Sequence, residues 1–207
     1  MASALHVVVE MALRRQQPGT GSGRRFLKKR TAMIEWPRLQ FLEPLFAVIG
    51  AVGIRLYAPE RTTQDLDVVV ALQDAEECER RLVDSGWERL GTLGIGGSTW
   101  GSSEGQDVDV FVGREEWWSA IIAEAQSNRD LQGLPVAPLK AQVWLKLRAA
   151  RSVDAGDLSR LLGLATDEQV AEVRAFLGEH ADPRDMQDFE SLVQLGRLEF
   201  GGSASDA

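Results

Sequence analysis

Two apolar runs separated by a short helical stretch dominate the first half of the chain. Leu45, Phe46, Ala47, Val48 and Ile49 run into Gly50, a segment from Ala51 to Tyr57 follows, and Leu66 opens a second apolar run with Asp65 and Asp67 around it and Val68, Val69 and Val70 behind. Apolar runs of this length bounded by turn residues predict buried strands, so the order is strand, helix, strand. Residues 73–86 carry acids early, arginines late and Gly86 at the end, which predicts a helix matched to its own dipole. Residues 87–93 read as a strand. The glycine-rich piece 91–98 reads as a hairpin, because no long amphipathic helix follows it as a phosphate-binding loop would require. Residues 106–112 alternate polar and apolar and predict another strand. Residues 115–125 predict a helix, with Trp117 and Trp118 as core and cover. A loop with the apolar piece Leu134, Pro135 and Val136 follows.

From Pro138 onward the pattern is helical. Leu139, Val143, Leu147 and Ala150 share one helix face, with Lys140, Lys146 and Arg148 projecting elsewhere. Thr166 and Gln169 stand at capping-box spacing ahead of an apolar face of Val170, Val173, Phe176 and Leu177. Asp182 and Pro183 begin a last helix whose buried candidates are Phe189, Leu192, Val193 and Leu195. The expected class is α/β (α+β): a small mixed sheet flanked by helices, then a C-terminal helical segment. The expected boundaries are a leader over 1–35, a core over 36–136, a helical region over 137–200 and a small, polar, disordered tail over 201–207.

Charge separates the leader from the rest. Residues 1–38 hold eight basic residues against Glu10 and Glu35, a net of +6 in a chain whose total is −8, which leaves −14 for the remainder. A basic arm on an acidic body could touch nucleic acid. The linker composition of residues 16–23 favours a poorly ordered leader instead. Cys78 is the single cysteine and excludes an internal disulfide. Its neighbours Glu76, Glu77 and Glu79 disfavour the thiolate, so it reads as a bystander in a reducing, cytoplasmic setting. No run approaches the roughly 18 apolar residues of a membrane span. His6 and His180 have no cysteine partners and suggest no zinc site.

The candidate chemistry lies at Asp65 and Asp67. On a strand, residues two apart point to the same face, with origins roughly 7 Å apart. Two hard oxygen ligands on a rigid strand suit Mg²⁺, which keeps several waters and leans on substrate phosphates. A pair of such ions can clamp the entering and leaving oxygens of a phosphoryl displacement. A third carboxylate is then expected from the next acidic strand, Asp109 being the choice and Asp107 the reserve.

These residues resemble the nucleotidyltransferase fold of the DNA polymerase β superfamily, and in particular the bacterial abortive-infection AbiEii-type nucleotidyltransferases. The likeness is carried by Ile49, Gly50 and Ala51 followed by Arg61, Thr63, Asp65 and Asp67. It departs at Ala51, where the family has Gly or Ser, so a hydroxyl that could meet a phosphate is replaced by a backbone N–H alone. A second match is Lys146, Arg151, Asp154 and Asp157, with Val153 where a basic residue is common. The resemblance implies Mg²⁺ on Asp65, Asp67 and Asp109, and a nucleoside triphosphate against Gly50, Ala51, Arg61 and Thr63. It further implies an RNA, such as transfer RNA, or a protein as acceptor, and a toxin–antitoxin or phage-defence setting with an antitoxin partner. Lys146 would neutralise the triphosphate as a point charge or else snorkel at the surface, while Asp154 and Asp157 would cap the next helix. Two alternatives stay open: a nucleotide-binding or regulatory module on the same fold that has lost turnover, and an unrelated α/β protein with surface aspartates.

Overall fold

Four residues with no polar side chain, Phe46–Ile49, form strand β1 and are all buried. This computed structural model describes residues 9, 37–58, 65–94, 96–149 and 152–200. The readings of a basic leader and a polar tail, and those of Arg61, Thr63 and Arg151, lie outside the described residues. Of the described residues, 37–56 and 65–138 form one compact unit, and 9, 57–58 and 139–200 belong to the other.

The first unit is built on a five-stranded mixed sheet. After β1 comes the one-and-a-half-turn helix α1 (Gly50–Ile54), then β2 (Asp67–Ala71). Helix α2 (Ala75–Asp84), the hairpin β3 (Glu88–Thr92) and β4 (Gly97–Gly101), strand β5 (Asp107–Gly113) and helix α3 (Trp118–Ala125) complete it. The strand order is β1-β2-β5-β4-β3, with β2 and β5 parallel and every other pair antiparallel. Val68, Val69 and Val70 are all buried, which explains why β2 reads as an unbroken apolar run: both of its faces are covered. Cys78 and Leu82 turn inward from α2, while Glu77 on the outer side pairs with Arg80 and Arg81.

Two details depart from the sequence expectations. Helix α3 begins at Trp118, three residues later than expected, because Glu115 serves the turn ahead of it: the Trp118 backbone N–H donates to the Glu115 carbonyl at 3.1 Å and its indole N–H to the Glu115 carboxylate at 3.0 Å. Trp118 is buried and Trp117 covers it, with ring centroids 4.5 Å apart. The piece around Leu134, Pro135 and Val136 is more than a connection. Val48 donates to the Pro135 carbonyl at 2.7 Å and Ala137 donates to Val48 at 2.9 Å, so this segment lines the outer edge of β1.

The second unit contains helices α4 (Leu139–Ala149), α5 (Ser152–Leu164), α6 (Asp167–His180) and α7 (Pro183–Phe200). Thr166 and Gln169 make the reciprocal capping box at the start of α6. Helices α5 and α7 cross at Gly163 and Gly196, where a Cβ on Gly196 would fall within 2.7 Å of the Gly163 nitrogen. Leu158, Leu161, Leu162, Phe189 and Leu192 are fully buried in this unit. Phe176 and Val193, expected inside, are only half-buried; Phe176 meets Trp144 edge-on at 6.4 Å. No described helix is long and apolar enough to cross a membrane.

Candidate active site

Register along the sheet decides which of the acids meet. Asp67, the first residue of β2, is the Cα partner of Asp109 on β5. Partners in a parallel ladder direct their side chains to the same face from strands about 4.8 Å apart. Two further pairings extend the row, Ile49 with Asp67 on one side and Thr99 with Asp109 on the other. The result is a transverse line of Ile49, Asp67, Asp109 and Thr99 across four strands. Asp67, Asp109 and Thr99 are half-buried. The Thr99 hydroxyl donates to Asp109 Oδ1 at 2.6 Å.

The glycine turn lies directly against this row. Gly50 has φ +67°, in the left-handed region, and a Cβ built on it would overlap Asp67 Oδ2 and sit 3.1 Å from the carboxyl carbon. Both the backbone conformation and the closeness of the carboxylate therefore require glycine at this position. Ala51 follows at the start of α1 and is half-buried.

Asp65 stands differently from its expected partner. The strand begins only at Asp67, so Asp65 precedes it by two residues and is exposed, while the intervening Leu66 is 1% exposed. The ladder nevertheless reaches back toward it, because the Asp109 N–H donates to the Leu66 carbonyl at 2.9 Å. Asp107, two residues before Asp109, is exposed at the start of β5, with Oδ1 beside Gly101. Among the described residues no three His, Cys, Asp or Glu side chains gather closely enough to hold one metal ion. What the sheet brings together is the pair Asp67 and Asp109. That pair suits Mg²⁺, which is commonly held by one or two carboxylates with the rest of its shell from water and phosphate.

Lys146 lies in an ion cluster of the helical unit. The ammonium lies 3.0 Å from Asp154 Oδ1 and 2.8 Å from Asp157 Oδ2, and the lysine and Asp154 are both buried. It is a buried ammonium paired with two carboxylates of the next helix, not a snorkelling surface stem. Asp154 and Asp157 correspondingly serve this ion cluster. A lysine at helical position 146 reads as polar in the sequence, and only the return of α5 alongside α4 brings its partners within reach. Cys78 is inert where it sits: burial, reinforced by Glu79, pushes its thiol up to about 12. Thr99 is the site residue the sequence reading missed. Its signal was a polar residue within β4, the strand that pairs with the acidic strand.

No protein-family model and no curated protein matches the chain. Among solved structures it is similar to ANT(2")-Ia in complex with adenylyl-2"-tobramycin, at 17% identity over 74% of this chain and 87% of that one, with a TM-score of 0.41. It is also similar to terminal uridylyl transferase 4 from Trypanosoma brucei with bound GTP, at 10% identity over 92% and 67% of the two chains, TM-score 0.32. A third is the CD-NTase CdnG of Bradyrhizobium diazoefficiens in complex with GTP, at 12% identity over 99% and 92%, TM-score 0.27.

Proposed function

We propose that this chain is a Mg²⁺-dependent nucleotidyltransferase that moves a nucleotide from a nucleoside triphosphate to an acceptor hydroxyl on RNA, such as transfer RNA, or on a protein. By its resemblance to the AbiEii-type proteins it would act in the cytoplasm as part of a toxin–antitoxin or phage-defence pair. The observation that carries the reading is the side-by-side placement of Asp67 and Asp109 with the Gly50 turn against Asp67. Asp67 and Asp109 would hold Mg²⁺; Asp65, exposed ahead of β2, is assigned to the cation by the resemblance alone. When bound, the cation neutralises the polyphosphate and lowers the pKa of an attacking oxygen. Gly50 and Ala51 lie at the phosphates, where Ala51 offers its backbone N–H in place of a side-chain hydroxyl. Arg61 and Thr63 are assigned to phosphate by the resemblance alone. Asp109 accepts the proton of the acceptor hydroxyl as that oxygen forms its bond to the α-phosphorus, and pyrophosphate leaves with the electrons of the bond that breaks. Lys146 is assigned to the nucleotide by the resemblance alone, and Asp154 and Asp157 hold its ammonium.

Incubating the protein with each labelled triphosphate, Mg²⁺ and total RNA or cell lysate tests the reading. Label transfer is expected, and transfer that persists in the double variant Asp67→Asn with Asp109→Asn would move the site elsewhere. The second reading, a nucleotide-binding module without turnover, is favoured by the exposed position of Asp65 and by Ala51. Calorimetry separates the two, because Mg²⁺-dependent nucleotide affinity without product supports the module.

A further inference from the structure

We infer that Thr99 is a positioning residue for Asp109, holding one oxygen of that carboxylate so that the other is free for a divalent cation shared with Asp67. The inference rests on the reading of Asp67 and Asp109 as cation ligands. Three observations carry it. Thr99 and Asp109 are register partners on β4 and β5, so their side chains rise from the same face, and Asp109 is in turn the partner of Asp67. The Thr99 hydroxyl donates to Asp109 Oδ1 at 2.6 Å, within the short range of a hydroxyl bonded to a charged carboxylate. Finally, the strand that carries Thr99 is fixed from its other face: the buried Trp100 and Ser98 flank it, with the indole N–H donating to Ser98 Oγ at 2.8 Å.

The physics of the two side chains makes the arrangement directional. An aspartate's terminal torsion is broad, so an unsupported carboxylate samples many orientations. A β-branched threonine is stiff about its first torsion, so the hydroxyl on β4 has a defined place. One bond from that hydroxyl selects one carboxylate orientation before any ligand arrives. Groups that orient a metal ligand in this way are typically worth about 10- to 100-fold in metal affinity. Valine at this position would keep the shape and lose the donor; serine would keep the donor.

The test uses the full chain and Mn²⁺ as the probe, read by titration calorimetry at a temperature where every variant is folded by circular dichroism. Thr99→Val should weaken Mn²⁺ binding about tenfold, and Thr99→Ser should restore it to within about threefold of the parent. Asp67→Asn and Asp109→Asn should abolish it. If those two aspartate variants lose Mn²⁺ while Thr99→Val binds like the parent, the role of Thr99 is overturned and the site reading stands. Equal weakening in Thr99→Val and Thr99→Ser, with matching losses of thermal stability, overturns it in favour of a structural role. If the parent binds no Mn²⁺, or both aspartate variants bind it unchanged, the site reading falls and the inference falls with it.

Discussion

Replacing Gly50 by alanine isolates the contact on which the candidate site is built. Gly50 has φ +67°, and its missing Cβ leaves the space that Asp67 Oδ2 occupies. Alanine in the left-handed region costs roughly 1–2 kcal/mol. Forcing the Asp67 side chain off its rotamer to clear the methyl adds about 0.5–1.5 kcal/mol. Against this, the reduced freedom of the unfolded chain returns about 0.4–1 kcal/mol. The expected net loss is about 0.5–3 kcal/mol, seen as a lower urea midpoint at unchanged slope. Gly50→Asn serves as the control, because asparagine tolerates the left-handed backbone yet brings the same Cβ. It should recover part of the stability while displacing Asp67 just as alanine does, so both variants should bind Mn²⁺ more weakly than the parent. A Gly50→Ala protein within about 0.5 kcal/mol of the parent, with undiminished Mn²⁺ affinity, would refute the argument that this turn is fitted to the carboxylate.

Two further expectations concern Lys146 and Cys78. Lys146→Met removes the ammonium that pairs with buried Asp154 and should cost about 3–5 kcal/mol by urea unfolding, whereas adding Asp154→Leu and Asp157→Leu should regain much of it. Cys78 should resist iodoacetamide in the native protein and label only on unfolding; because its folded pKa is raised from 9.0 to about 12, the stability tied to the neutral thiol is complete below pH 9 and is lost as pH rises toward 12.

Much of this architecture could be read from residue order because the decisive patterns are local. Valines in a row bounded by turn residues, acids before arginines along residues 75–84, and the Thr166 to Gln169 spacing each act within one element. The pairing of Asp67 with Asp109 was within reach for a similar reason: period-two alternation assigns faces, and adjacency of acidic strands does the rest. What could not be read is where a strand begins and which partner a polar side chain meets. Asp65 was expected on the strand with Asp67, yet β2 begins at Asp67 and Asp65 stays ahead of it. Lys146 finds its counter-charges only after the chain reverses into α5, and a lysine with four methylenes has no sequence mark that separates a buried ion pair from a solvated one. The hydroxyl of Thr99 is placed by the register of β4 against β5, which composition does not disclose.

The segment lying along β1 has a bearing on solubility. On that border the amide of Val48 donates to Pro135 and its carbonyl accepts from Ala137, so a foreign strand arriving there finds these groups already engaged. The opposite border is β3, exposed along its whole length, and it relies on other protection: five residues only, the charges of Glu88 and Arg89, and the irregular step after them. Such features discourage edge-to-edge zipping without blocking it. The sheet thus has one border closed by its own chain and one guarded only by charge and distortion.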